Sequence, residues 1–518
     1  MSQSERPMSL REWIAVFGAI LGAFMAVLDI QITNASIKEI TGGLAATIDE
    51  GSWISTSYLV AEIIVIPMSG WLTRLLSLRT YLLWTSVLFL IFSICCGLAW
   101  NLPSMIVFRA LQGFTGGALI PLAFQVILSL PPSKRAMGMA LFSITATFAP
   151  AIGPTVGGYL TQTFHWSVIF FLNLVPGLLQ MFAIIYAIDP EKKNWDLLKK
   201  LDVWGLATMA VGLSSLTIFL EEGERKDWFS SHMMVTLAVF AGVFLLAFFI
   251  IELTRDNPFI NLKLLIQKNF GFGCMVNFAV GLAMYGALYL LPLYLSTIQL
   301  YSSMDIGKTM MWAGIPQLAI LPFVPQLLKR IDGRWMAFIG INIFALSCFM
   351  NSRMTALVGY DQLMWSQIVR AIGQPLLMIP LSTVTTGLIA RDQIGSASGL
   401  FNMLRNLGGS VGIAILSTAM TVREHFHSAM LMESINKYSA ETRTRIQMLS
   451  KHFTAMGFDP HTAQMKALAG VDHVVRLEAN VMSFNECFFA VGIALVLSSV
   501  LILLCDHVSA GGGGEGAH

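Results

Sequence analysis

Apolar residues in this chain come in long runs separated by short polar breaks. The runs fall at 13–37, 51–73, 80–100, 103–128, 136–161, 166–188, 203–220, 233–252, 270–296, 306–328, 335–352, 362–389, 394–421 and 485–505. Each approaches the ~20 helical residues needed to cross a hydrocarbon core of about 30 Å. An isolated strand cannot satisfy its backbone in lipid, so helix is the expected element. The pattern predicts an all-α, multi-spanning membrane protein with fourteen transmembrane helices.

Composition agrees with this reading. Of 518 residues, 55% are hydrophobic and only 12% charged, about half the charged share of a soluble domain. A net charge of +2 gives no basis for nucleic-acid binding. Cys95, Cys96, Cys274, Cys348, Cys487 and Cys505 lie in or beside apolar runs and read as packing residues, not a disulfide framework. The first run has no small-residue cleavage site and is expected to be a retained span.

Orientation follows from Lys and Arg in the short connections. With a cytoplasmic N-terminus, 17 of them lie inside, from Arg6 to Arg391; Lys38, Arg225, Lys226, Lys308 and Arg353 are the 5 outside. An even span count then places both termini in the cytoplasm. The connection 422–484 is a long polar segment on the outer side, with Asp459-Pro460 as a helix-start signal. The Gly-rich tail 511–518 is expected to be disordered. A weak echo between Phe108-Arg109-Ala110…Ile120-Pro121-Leu122 and Val369-Arg370-Ala371…Ile379-Pro380-Leu381 fits two related halves.

Ionisable residues inside spans are costly and mark function. They are Asp29, Glu62, Arg109, Arg370 and Arg405. At ~1.5 Å per residue, Asp29 lies ~24 Å from the inner end of its span, and Arg109 ~9 Å from the outer end of the fourth. The two share a depth and can pair, with Asp29 as a proton-titrating carboxylate beside Arg109. Glu62 falls near mid-membrane, as a second proton site or a selector of cationic compounds. Five histidines, His425, His427, His452, His461 and His473, are in the outer segment without a metal-ligand spacing and read as solvated surface. No metal site, nucleotide-binding loop or nucleophile constellation is visible, so enzyme and primary-pump classes are disfavoured.

The stretch Pro150, Gly153, Pro154, Gly157, Gly158 in the fifth span would break a soluble helix but suits a bent, closely packed membrane helix. It resembles the antiporter motif of major facilitator superfamily drug exporters. Leu28-Asp29 with Asn34, Arg109-Ala110-Leu111-Gln112-Gly113, Trp166 with Phe170-Phe171-Leu172-Asn173, and Asn402, Arg405, Gly408-Gly409 are similar to motifs of its fourteen-span drug:proton antiporter branch. Asp227-Trp228-Phe229-Ser230-Ser231 and Asp256-Asn257-Pro258 resemble the EmrB-like exporters within that branch. One motif is degraded: where the family has Gly-x-Leu-x-Asp-Arg-x-Gly-Arg, Gly70 to Leu78 lacks the acid and the second glycine.

The resemblance implies two six-helix halves, 1–188 and 257–510, with an inserted helix pair in 189–256. It implies export of apolar or amphipathic compounds from a bacterial inner membrane, driven by a proton gradient without a cofactor. It also implies a periplasmic membrane-fusion adaptor and an outer-membrane channel, with 422–484 as the docking surface. A symporter, or an exporter of a specific metabolite such as a siderophore, remains the alternative. Proton coupling then falls to Asp29, Arg109, Glu62 and Arg405. Substrate binding between the halves falls to Asn34, Gln112, Gln125, Asn277, Tyr285, Tyr289, Trp312, Gln317, Gln374 and Asn402. The 29 Met and 34 Phe suit variable apolar ligands, although most must face lipid or pack.

Overall fold

The computed structural model describes residues 8–255, 258–390, 393–435 and 439–508. Arg6, Asp256-Asn257, Arg391 and the tail 511–518, all used above, lie outside the described residues. The N-terminal half holds α1 (Leu10–Ala35), α2 (Glu50–Leu76), α3 (Leu78–Gly97), α4 (Leu102–Ser129), α5 (Pro132–Thr163) and α6 (Val168–Ala187). An inserted hairpin follows, α7 (Val203–Glu222) and α8 (His232–Thr254). The C-terminal half holds α9 (Lys268–Thr297), α10 (Met304–Leu328), α11 (Gly333–Asn351), α12 (Tyr360–Thr386), α13 (Ile394–Ser434), α14 (Ala440–Ala455) and α15 (Pro460–Leu503).

Among the described residues, twelve helices are long and apolar enough to span a membrane, and thirteen if the bent α5 counts as one. This falls short of the fourteen expected. The missing segment, 394–421, does form a helix within α13, but Ser396, Ser398, Asn402, Arg405, Asn406 and Ser410 make it too polar to qualify on composition. Those polar residues lie at the junction of the two halves, where lipid is absent.

Proline and glycine shape the spans. Pro121 has no N–H to give Gly117, and α4 breaks there into Leu102–Gly116 and Leu119–Ser129. Its carbonyl accepts instead from Ser398 Oγ of α13 at 3.0 Å. In α5, the Pro150 region bends the helix by 44°. A Cβ on Gly153 would stand 2.5 Å from Gln31 Cβ, and one on Gly157 3.1 Å from Ile32 O, so this stretch lets α5 lie against α1.

Polar contacts gather the chain ends on one face, here the terminal face. Glu12 closes a capping box with Ser9 and pairs with Lys134 at 3.1 Å, while Arg11 pairs with Asp189. Lys268 pairs with Asp506 at 2.6 Å, and Arg334 Nη1 donates to Cys505 O at 2.8 Å. In the connection after α10, Arg334 also holds the Asp332 carboxyl below the usual carboxylate range through their hydrogen bonds.

On the far face, the polar segment 422–484 is no loose loop. α13 runs unbroken past the membrane to Ser434, α14 packs on α15, and Asp459 caps α15 through His461 N and Thr462 N. His427 departs from the expected solvated histidines: it is 3% exposed, with Nε2 3.1 Å from Glu486 Oε1, and Arg423 pairs with the same carboxylate. The facing sides of α13 and α15 bury it, which a polar composition does not disclose.

The degraded motif also has a structural consequence. Ser77, at the position of the missing glycine, joins α2 to α3 with φ +73° and ψ 151°, a backbone region that suits glycine. Its Oγ accepts from Thr80 N at 3.4 Å and caps α3. Ser77→Gly is expected to stabilise the protein by about 1–2 kcal/mol, since the strain of ~1–3 kcal/mol exceeds the few tenths lost at the cap. Thermal unfolding in detergent measures this; a lower midpoint would contradict it.

Candidate functional site

The structure brings Asp29 and Arg109 together, as their shared depth predicted. Arg109 Nη1 donates to Asp29 Oδ2 at 2.6 Å, and both side chains are 1% exposed. Further groups complete the shell. Gln112 Nε2 and Asn173 Nδ2 donate to Asp29 Oδ1 at 3.1 and 2.6 Å, and Asn173 also donates to Ser93 Oγ at 2.9 Å. Arg109 donates to Gln112 Oε1 at 2.7 Å and Ile54 O at 3.4 Å, and its guanidinium carbon lies 4.3 Å from the Tyr58 ring centroid. The network joins α1, α2, α3, α4 and α6 without touching the C-terminal half. Gly113, one residue past Gln112, makes it possible: a Cβ there would stand 2.3 Å from Tyr58 O.

Glu62 occupies a different position, on the seam between α2 and α13. Asn406 Nδ2 donates to Glu62 Oε1 at 3.3 Å, and Tyr285 Oη of α9 reaches Asn406 Oδ1 at 3.4 Å. Next to Asn406, Arg405 donates to Asn402 Oδ1 at 3.0 Å. Glu62 is 4% exposed and Arg405 4%, so a carboxyl of one half and a guanidinium of the other share a dry interior. Arg370, placed like Arg109 in the sequence echo, has no acidic partner among the described residues and lies 5.4 Å from the Phe344 ring centroid.

Between the halves, Phe124, Phe142, Ser143, Met378, Phe401 and Arg405 enclose about 10 Å³ of open space, room for one water at most. The seam is shut on both sides of this point. Toward the terminal face, a Cβ on Gly70 would stand 2.5 Å from Gly395 C; toward the far face, Gly307 of α10 abuts Thr155 of α5. The halves are therefore in contact on both sides of the closed centre.

The expected binding residues divide into two sets. Around this closed centre lie Asn402, Tyr285, Asn277 bonded to Phe401 O at 2.7 Å, and Gln317 bonded to Ser143 O at 3.3 Å, while Gln125 is buried on α4. Gln374 lies one turn before Met378, and neither of its amide atoms has a partner among the described residues. Elsewhere are Gln112, committed to the Asp29 network; Asn34, exposed and bonded by Ser55 at 2.6 Å; Tyr289, half-buried; and Trp312, bonded to Tyr360 Oη at 2.7 Å near the far face.

Sequence similarity is consistent with this architecture. The family model described as Major Facilitator Superfamily matches residues 19–413. The chain belongs to the major facilitator superfamily. Within it, this facilitator falls among the EmrB-like exporters. It is 33% identical over 495 residues to the colistin resistance protein EmrB of Acinetobacter baumannii, covering 95% of this chain and 96% of that protein. It is 32% identical to the multidrug export protein EmrB of Escherichia coli K12 along the whole of both chains. With the fatty acid resistance protein FarB of Neisseria gonorrhoeae it shares 32% identity, over 96% of each chain. The solved human organic anion transporter MFSD10 has the same fold, with TM-score 0.58 at 13% identity over 95% of this chain and 100% of that one. This facilitator is a multi-pass membrane transporter, not an enzyme.

Three members of these networks do not stand out in the sequence. Asn173 is visible there only as part of a motif, Asn406 only as the neighbour of Arg405, and Tyr58 not at all. Asp29→Ala leaves the buried guanidinium, Gln112 and Asn173 without their acceptor. It is expected to lower stability by about 3–5 kcal/mol, read from the unfolding midpoint in detergent, whereas Asp29→Asn, which keeps an acceptor, is expected to cost less.

Proposed function

We propose that this facilitator is a proton antiporter exporting apolar or amphipathic compounds across a bacterial inner membrane, with the terminal face in the cytoplasm. The observation that carries the reading is the pair of buried carboxyls, Asp29 within the N-terminal half and Glu62 on the seam between halves. Carboxyls buried in a membrane bundle are costly, so their retention marks a functional role. A proton arriving from the far face neutralises Asp29, and Arg109 is then left with Gln112 Oε1, Ile54 O and the Tyr58 and Phe170 rings. That change loosens one half's internal network. At the seam, protonation of Glu62 alters its bond to Asn406, which bears on whether the halves stay together.

The named activities of the relatives, multidrug export and resistance to colistin and fatty acids, support an apolar or amphipathic cargo. The Phe and Met residues of the closed centre suit such ligands once the seam parts. The excess of Lys and Arg on the terminal face supports its cytoplasmic placement. Asp29→Asn, measured in everted vesicles with an imposed proton gradient, is expected to abolish gradient-driven export; full retention would refute the coupling role. Counterflow in the same vesicles separates antiport from symport.

The far-face module of α14 with the extensions of α13 and α15 is the proposed docking surface for a periplasmic adaptor, and through it an outer-membrane channel. It stands clear of the membrane core and is held by Arg423, His427 and Glu486 at its base. Replacing 430–475 with a short flexible linker is expected to leave the membrane bundle folded and to abolish co-purification of the adaptor. Undiminished adaptor binding would refute the assignment.

A further inference from the structure

The inserted helix α7 ends in two adjacent acids, Glu221 and Glu222, just where the apolar run stops. They are not solvent-facing end residues. Glu222 is 1% exposed; Thr56 Oγ1 of α2 donates to its Oε1 at 3.0 Å, and its Oε2 is buried without a partner among the described residues. Glu221 is half-buried, and the helix that carries it packs against α13 as well as α2. The turn beyond continues the attachment to α13: Trp228 Nε1 donates to Thr418 Oγ1 at 3.0 Å, and Thr421 Oγ1 donates to Glu224 Oε1 at 2.8 Å.

The insert therefore clamps both walls of the seam. Thr56 precedes Glu62 by six residues on α2, and Thr418 follows Asn406 by twelve on α13, so the clamp lies about 9–18 Å farther toward the far face than the Glu62–Asn406 contact. Parting the far ends of α2 and α13 must break either the Glu222–Thr56 bond or the bonds of Trp228 and Glu224 to α13. A buried carboxylate oxygen without a donor is costly, and a proton is the ligand that relieves it.

We propose that Glu222 is a further proton-uptake site beyond Asp29 and Glu62, and that its protonation closes the far-face end of the seam. With the seam open, Glu222 meets far-face water as a carboxylate. A hydronium ion gives its proton to Oε2, forming the O–H bond and leaving water, and the neutral carboxyl then fits the dry site against Thr56. The charged groups around it are Glu221 alongside, Glu62 farther along α2, Arg405 on α13, and Glu224, Arg225, Lys226 and Asp227 in the turn; the titratable groups are His232 heading α8 and Tyr289 on α9. This proposal rests on the antiport reading and gives the inserted hairpin a part in it.

The test uses the full chain in everted vesicles, with ethidium and oleate as probes and the pH of the far-face compartment varied. Glu222→Gln mimics the protonated carboxyl. It is expected to keep probe binding but to flatten and shift the dependence of export on far-face pH, leaving the part due to Asp29, while Glu222→Asp restores the steeper dependence with its own shifted midpoint. A Glu222→Gln profile matching the wild type would overturn the proposal and leave the antiport reading standing. A wild type that moves neither probe under a proton gradient would overturn the antiport reading and this proposal with it. If Glu222→Gln does not accumulate, Thr56→Val, which removes the donor while conserving volume, is expected to shift the pH profile; an unshifted profile would overturn the proposal.

Discussion

A guanidinium held 1% exposed inside a membrane bundle is costly unless it is neutralised, and the arrangement of the N-terminal half follows from that cost. Asp29 supplies the charge, but a carboxylate in such surroundings also needs its remaining lone pairs filled. Gln112 and Asn173 fill them, so α1, α4 and α6 are fixed in rotation as well as in depth. Tyr58 covers the guanidinium from α2, and Gly113 allows α2 and α4 to approach closely enough for that contact. Breaking the ion pair would disturb every helix in the network.

The C-terminal half has no matching pair. Arg370 faces an aromatic ring, and Arg405 is turned to the seam, where its acidic neighbour belongs to the other half. Charge is thus balanced within the N-terminal half, whereas in the other half Arg405 looks across the interface for its acid and Arg370 rests on a ring. The N-terminal half has an internal reason to stay rigid, whereas the C-terminal half depends on the seam for part of its polar satisfaction. Rocking of one body against another is consistent with that asymmetry, and the nearly filled centre between them is what such a body motion would open.

Much of this is legible in the sequence because a membrane reduces the problem to one dimension. Helix rise converts residue number to depth, which is why counting residues along two spans suffices to match Asp29 with Arg109. Rotation about the helix axis and the identity of neighbouring helices are not recoverable that way. Asn173 and Tyr58 therefore escape notice, while Asn34 and Trp312 lie away from the closed centre, bonded to Ser55 and Tyr360. The same one-dimensional reading fails where polarity means protein neighbours instead of water. His427 is buried because α13 and α15 close over it, although its surroundings in the sequence are polar.

α13 is 41 residues long and α15 is 44, so each is a rod of about 60–65 Å without a break. Both begin or end in the membrane part of the C-terminal half and emerge together on the far side, joined at Arg423, His427 and Glu486. A rod transmits tilt as displacement: a few degrees of rocking about the seam becomes ångströms of sweep at its tip. The far-face module is in mechanical terms the end of a lever whose fulcrum is the transport site, so anything that holds the tip still also resists the cycle below it.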